Sequence, residues 1–453
     1  MKRCICGKMG FVITLIVFSL CLISPISGAQ AADNIIKIGV IGPMKFIAGE
    51  QPWKGAQMAA EAINAAGGVK VKGVPHKIEL VQADDNCLAS VADASNAMER
   101  LITVNKVNFV TGGFRTEAVT AQQEIAANYK TIFMGNGGGL TPSLAERVAT
   151  NYDRYKYYFM GWIPSDIFGV IMLTGAEGPL RAIQSQLGIK QPKVALLLDK
   201  AAWTEPILKK AEEVFPKMGA EIVGVWRPGF SASSVVAEMS AIKTAGAHLI
   251  FAVNAGPAGN PTSVSWGELK VPAAMVGCNL EAMMPRHWES TKGLCEYSET
   301  TTIWARAKIT EKTIPFFDAY LKRYGEDPNY FAGVGHDNIY IFKEAIENAG
   351  TIESDAVVAA LEKTNYIGTT GRIEYTPRGS RLPHTVIWGP KHVPYLCSQW
   401  RNGKIMAVWP DGNEVGPALQ AIGAPSGWKG VKYEGTVKYE LPPWMVEYWK
   451  SKK

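Results

Sequence analysis

Residues 35–87 constrain the fold of this chain more than any other stretch. A short apolar strand, residues 35–41, leads through a Gly/Pro-punctuated loop, residues 42–52, into an Ala-rich helix. That helix is expected over residues 53–66, where Gly67-Gly68 stops it. A second strand, residues 77–81, ends at Asp84-Asp85. Strand, loop, helix, strand is the unit of a parallel α/β sheet. Such sheets bind small ligands where loops leave the carboxyl ends of the strands.

The first 32 residues precede that fold and read as a secretion signal. Lys2, Arg3 and Lys8 supply the charged start, and residues 11–23 an apolar run too short for a membrane span. Ala29-Gln30-Ala31 is a small-x-small cleavage site. Cys21 follows Leu20, where lipoprotein processing needs a small side chain, so soluble release to the periplasm is expected. The formal charge of +6 loses three cations with the leader, which leaves too mild a balance to argue for nucleic acid. A chain of 453 residues is expected to form two lobes rather than one core. Of its seven cysteines, Cys87, Cys278, Cys295 and Cys397 lie beyond the leader. An oxidising compartment permits disulfides among them, and buried free thiols are the equal alternative.

The strand–helix alternation continues. Helices are expected over residues 89–104 and 117–128, and strands over 107–110 and 131–134. The Tyr-rich segment 147–162 reads as a crossing between lobes. A second series follows: helix 166–187, strand 193–199, a helix opened by Pro206 and closed by Gly219, strand 221–226, helix 234–244, and strands 248–253 and 273–276. Helices are expected over 312–324, 338–348 and 354–363. Residues 385–388, 394–400 and 404–409 read as antiparallel strands, with Asn402-Gly403 as a hairpin turn.

Several of these residues carry a resemblance. Gly42-Pro43 with Gly49 and Gly55, Ala62-Ile63-Asn64-Ala65-Ala66-Gly67-Gly68, Asp84-Asp85-Asn86-Cys87, Pro164-Ser165-Asp166 after Phe159, and Asp199-Lys200-Ala201-Ala202-Trp203 follow one another in order. Residues 320–328 and Ala345-Ile346-Glu347-Asn348-Ala349-Gly350 continue the series. Together they resemble the leucine/isoleucine/valine-binding protein family, over about residues 36–379. The resemblance implies an α/β fold of two Rossmann-like lobes joined by a three-segment hinge, the type I periplasmic binding fold. It implies lobe 1 from residues 33–157 plus about 302–370, and lobe 2 from about 158–301 plus 371–453 with a C-terminal extension. It also implies a monomer that captures a small-molecule ligand between the lobes and delivers it to ABC permease membrane subunits.

The candidate ligand-binding residues follow from position. Gly112-Gly113-Phe114-Arg115-Thr116-Glu117 joins a strand to a helix, and its glycines and helix N-terminus suit a carboxylate. Thr116 stands at the family's Ser/Thr position, whose hydroxyl donates to that carboxylate; the alternative is a helix cap. Arg115 either clamps an anion or faces solvent. It occupies the position of the family's partner for Cys87, so that disulfide is absent. In the next loop, Gly137 and Gly138 offer N–H groups to the same anion, or form an ordinary turn. Trp203 either stacks on the ligand or packs in the core. Ala48 holds a first-loop contact position, and its small size implies a wider pocket, refilled by Trp53 or Phe46. Asn279 replaces the glutamate that pairs with the ammonium of an amino acid, and a neutral amide cannot offset a buried cation. Glu281 either substitutes for it or begins the next helix. Asn254 and Tyr330 complete the candidate set.

No catalytic constellation emerges. The six histidines are scattered without metal-ligand spacing, and there is no nucleophile elbow or Walker loop. No cofactor or metal is expected. The sequence therefore points to a substrate-binding protein of a branched-chain-amino-acid-type ABC transporter. Its ligand would be an amino acid, an aromatic or other organic acid, or an amide. The alternatives are a periplasmic sensor feeding a signalling receptor and, less favoured, an α/β enzyme with an unrecognised site.

Overall fold

The computed structural model describes residues 34–453 apart from Leu140 and Ile303; the signal segment lies outside the described residues. The opening apolar run forms strand β1 (Ile35–Gly42), and β2 (Val69–Val71) and β3 (Val74–Asp84) form a hairpin beside it. With β4 (Phe109–Gly112), β5 (Ile132–Gly135) and β6 (Tyr158–Met160) they build one sheet of order β2-β3-β1-β4-β5-β6. All pairs in it except β2–β3 are parallel. The strand order reverses at β1, so a crevice opens between the carboxyl ends of β1 and β4.

A second parallel sheet has the order β10-β9-β7-β8, from β7 (Lys193–Leu198), β8 (Glu221–Trp226), β9 (Leu249–Asn254) and β10 (Ala274–Asn279). Strands β7, β9 and β10 are near-continuous apolar runs because helices cover both faces. Beyond them, β11 (Glu299–Thr302) pairs antiparallel with a later strand. Residues 366–367 and 372–373 form a small antiparallel pair, β12 (Tyr366–Ile367) and β13 (Arg372–Ile373). The partner of β11 is β14 (Leu396–Arg401), which turns at Asn402-Gly403 into β15 (Lys404–Trp409). Both turn residues have positive φ, 51° and 74°, as a two-residue hairpin of this twist requires.

The structure moves several expected boundaries. The first helix begins at Ile47, with Pro52 inside it rather than before it. Helix 166–187 divides into Ser165–Gly175 and Glu177–Leu187, since Pro179 has no N–H to bond the carbonyl of Gly175. Residues 385–388 form no ladder: Thr385, Val386 and Trp388 each bridge a different neighbour, Met160, Tyr375 and Val393. Helix Gly259–Glu268, rich in Ser, Thr and Gly, is an element the sequence reading missed.

The helix expected from residue 338 begins at Tyr330 and runs to Ala349. Asn329 caps it by accepting from the N–H of Phe331 at 3.0 Å. Gly333 and Gly335, which weaken a helical pattern, are there for packing. A Cβ on Gly335 would lie 2.6 Å from the carbonyl oxygen of Pro52, and one on Gly55 2.0 Å from that of Ala332. Helices Ile47–Ala65 and Tyr330–Ala349 thus meet backbone to backbone beside the first sheet. Tyr320 Oη donates to Gln51 Oε1 at 2.9 Å at the same contact. Asp337, fully buried, accepts from the N–H groups of Thr369 and Thr370 and so pins the chain where it leaves this helical layer.

Candidate functional site

Almost every residue of the principal cleft lies at or just past the carboxyl end of a parallel strand. The cleft is a narrow cavity between the two sheets. Phe114–Glu117 follow β4 and Gly137–Gly139 follow β5. From the second sheet, Ala201 and Trp203 follow β7, Phe230 follows β8, Ala255 follows β9, and Cys278 and Leu280 stand at the end of β10. Phe168 and Tyr330 enter from helices.

The loop after β4 is shaped by its glycines. Gly112 has φ 131°, and a Cβ there would lie 1.9 Å from the carbonyl oxygen of Ile41. Helix Thr116–Asn128 then starts with Arg115 at the N-cap and no side-chain cap, so Thr116 is its first residue rather than its cap. Its first N–H groups are left for a partner from outside the helix. Gly138 packs on this loop so tightly that a Cβ would lie 2.2 Å from the Cα of Phe114. Gly139 donates to the Phe114 carbonyl at 2.7 Å.

Aromatic rings line the rest. Tyr330 stacks on Trp162 at 4.1 Å between centroids. Phe114 and Phe230, from opposite sheets, approach to 6.5 Å. Trp203 is buried yet faces the cavity, and its Nε1 has no hydrogen-bond partner among the described residues. Glu117 is the one acid in the lining, and it pairs with Arg115 at 3.4 Å. No group of three or more His, Cys, Asp or Glu among the described residues could hold a metal ion.

Asp199, fully buried below the Trp203 turn, orders this wall. It accepts from Asn254 Nδ2 at 2.8 Å and from the N–H groups of Ala255 and Gly256 at 2.7 and 3.2 Å. Burial outweighs these bonds and pushes its carboxyl up to about 6.

The structure brings seven of the expected residues together: Phe114, Arg115, Thr116, Gly137, Gly138, Trp203 and Tyr330. Four lie outside the lining. Ala48 is buried within the first helix, and Phe46 rather than Trp53 reaches toward the site, packing 5.6 Å from Phe114. Asn254 serves Asp199. Asn279 turns inward, donating to the Gly259 carbonyl at 2.9 Å, and its Oδ1 accepts from the N–H of Glu281 at 3.1 Å. Glu281 stands in a short helical turn beyond, its carboxyl raised by burial. Arg115 does not face solvent freely: it donates to the carbonyl oxygens of Cys87 and Leu88 in the loop after β3, and its guanidinium lies 5.9 Å over the Phe230 ring from the opposite sheet. Phe168, Phe230, Ala255, Cys278 and Leu280 were not anticipated. Gly229 before Phe230 and Asp166 before Phe168 were the available signals. The four cysteines beyond the leader are buried and free, the second of the two alternatives their sequence left open.

Two α/β lobes with a cleft at the strand ends define a bilobal solute-binding protein. The sequence profile described as "Periplasmic binding protein" matches residues 35–388, and the chain belongs to this family of solute-binding proteins, which are not enzymes. It is 23% identical over 407 residues to Leu/Ile/Val-binding protein homolog 7 of Brucella abortus, covering 85% of this chain and 94% of that one. A stretch of 115 residues is 36% identical to an amino acid binding protein of Pseudomonas aeruginosa, covering 25% of this chain and 29% of that protein. A solute-binding protein of an ABC transporter from Rhodopseudomonas palustris BisB5, in complex with 3,4-dihydroxybenzoic acid, superposes with a TM-score of 0.67. It is 19% identical and covers 82% of this chain and 95% of that chain.

Proposed function

We propose that this protein captures a small aromatic carboxylate in the cleft and delivers it to an ABC permease. One observation carries the reading: five aromatic rings, Phe114, Phe168, Trp203, Phe230 and Tyr330, surround an uncapped helix N-terminus at Thr116. The rings suit a flat apolar body, and the free N–H groups with the helix dipole suit its carboxylate. An α-ammonium would find no unpaired carboxylate in the described lining, because Glu117 is held by Arg115 and Asn279 is neutral. Solved relatives of this fold hold 3,4-dihydroxybenzoic acid and isoleucine alike, so the choice rests on the lining.

In this reading the first sheet, β1 to β6, moves with about residues 302–370 as one lobe, and the second sheet, β7 to β10, moves as the other. Contact between helices Ile47–Ala65 and Tyr330–Ala349 supports that division. Closure would bring Phe114 and Trp203 onto opposite faces of the ligand. A thermal-shift screen of benzoates, leucine, short dicarboxylates and amides tests it. Benzoates are expected to raise the melting temperature by mass action. Stabilisation by leucine alone would overturn the aromatic assignment.

A further inference from the structure

A second cavity, of about 270 Å³, lies at the far end of helix Ser165–Gly175. Phe168 of that helix lines the principal cleft and Gly175 lines this one. Seven residues at the helical rise separate the two by about 10 Å. The floor is Glu299 on β11, and the far wall is built by the C-terminal segment through Trp409, Asp411, Lys438 and Tyr439.

Two polar atoms in this wall are orphaned. Glu299 is 4% exposed, and its Oε1 has no hydrogen-bond partner among the described residues. Tyr439 is 9% exposed, and its Oη is likewise unpartnered. One buried carboxyl oxygen and one buried phenol oxygen without partners cost free energy unless something else satisfies them, and burial pushes the Glu299 carboxyl up to about 8, so a cation at this floor would draw off its proton. At the mouth the charges are mostly spent: Arg181 pairs with Asp411 at 3.1 Å and with Glu177 at 3.5 Å. Lys438 is exposed and makes no ion pair among the described residues.

The mouth is held in place by the tail. Gly416 donates to Glu177 at 3.0 Å, and Gln399 on β14 accepts from the N–H of Glu440 at 3.2 Å. Gly175 lets its helix pack directly on β14 beside the floor, since a Cβ there would lie 2.5 Å from Cys397 Sγ.

We propose that this cavity binds a small amino-carboxylate zwitterion, its ammonium on Glu299 and Tyr439 and its carboxylate toward Lys438. An acceptor at the floor and an unpaired cation at the mouth favour a ligand with one charge of each sign over either ion alone. The C-terminal extension thereby has a function of its own: it completes a second ligand site on the lobe that carries Trp203.

Calorimetric titration of the full chain with glycine, methylammonium and acetate tests the proposal. Glycine is expected to bind at least tenfold more tightly than either fragment. Binding should survive Trp203→Ala in the principal cleft. It should fall at least tenfold in Glu299→Gln and also in Ser185→Trp, which plugs the exposed mouth without touching the floor. Failure of glycine to bind at millimolar concentration overturns it, as do binding lost in Trp203→Ala but kept in Ser185→Trp, and equal binding of methylammonium.

Discussion

Nη1 of Arg115 donates to the carbonyl oxygen of Cys87 at 3.3 Å and to that of Leu88 at 3.2 Å. Residue 115 stands where the family resemblance implies a disulfide partner for Cys87. A guanidinium therefore ties together the two loops that a covalent bridge would join. Arg115→Ala is expected to cost about 1–2 kcal/mol, the worth of charge-assisted bonds at a half-buried site. Arg115→Lys should recover little of it, because an ammonium lacks the planar fork. Urea denaturation midpoints check both, and an unchanged midpoint in the alanine variant would show that the loops are held by other contacts.

Thr116 is the first residue of a helix without a side-chain cap, and its side chain borders the cleft. Thr116→Ala should weaken an aromatic carboxylate by about 1–3 kcal/mol while leaving the melting temperature of the free protein nearly unchanged. Thr116→Ser should retain most of the affinity. Calorimetry with benzoate separates the variants.

Asp199 titrates at about 6 in the fold against 3.8 for the free side chain, chiefly through burial. The folded state holds its proton where the unfolded state has released it. Its contribution therefore favours folding below about pH 4 and is lost as pH rises toward 6. Asp199→Asn should consequently gain stability relative to the parent chain as pH rises through this window. Denaturation curves of the two proteins at several pH values give the difference directly, and a flat difference would remove Asp199 as the source.

His248 carries the opposite sign. Burial, with Lys193 nearby, lowers its imidazole from 6.5 to about 4. Its Nδ1 accepts from the N–H of Lys193 at 2.8 Å, which only the neutral ring can do. The unfolded state takes up a proton below about 6.5, so this contribution is complete above that pH and is lost as pH falls toward 4. His248→Asn should blunt the acid limb of the stability curve, as read by the same denaturation series.

Gly55→Ala should force apart the two helices that carry the first sheet, since the new Cβ would meet the Ala332 carbonyl oxygen at 2.0 Å. A loss of about 1–3 kcal/mol is expected from such overpacking. Gly219→Ala is the wrong control, because φ there is 77°. Asn96→Ala, on the exposed face of helix Val91–Thr103, should be near neutral. Thermal melts distinguish the two.

The alternation of apolar strands and Gly-stopped helices was legible because it is local. Residues 35–41 read as a strand from their own side chains, and Asn402-Gly403 announced its hairpin from the positive φ that both positions need. The loops after β4 and β5 were legible too, since glycines mark where backbone must approach something closely. Tertiary contacts decided what local pattern left open. Helix Tyr330–Ala349 was half hidden because Gly333 serves neighbouring side chains and Gly335 the neighbouring backbone rather than helix propensity. Asn279 turned away from the cleft because Gly259 leaves room for its amide. Phe168, Phe230 and Tyr330 meet only because the ends of two separate sheets face each other. Short-range chemistry, written in neighbouring residues, thus set the elements. The cleft is made of contacts between residues far apart in the chain, and only packing of the whole molecule could choose them.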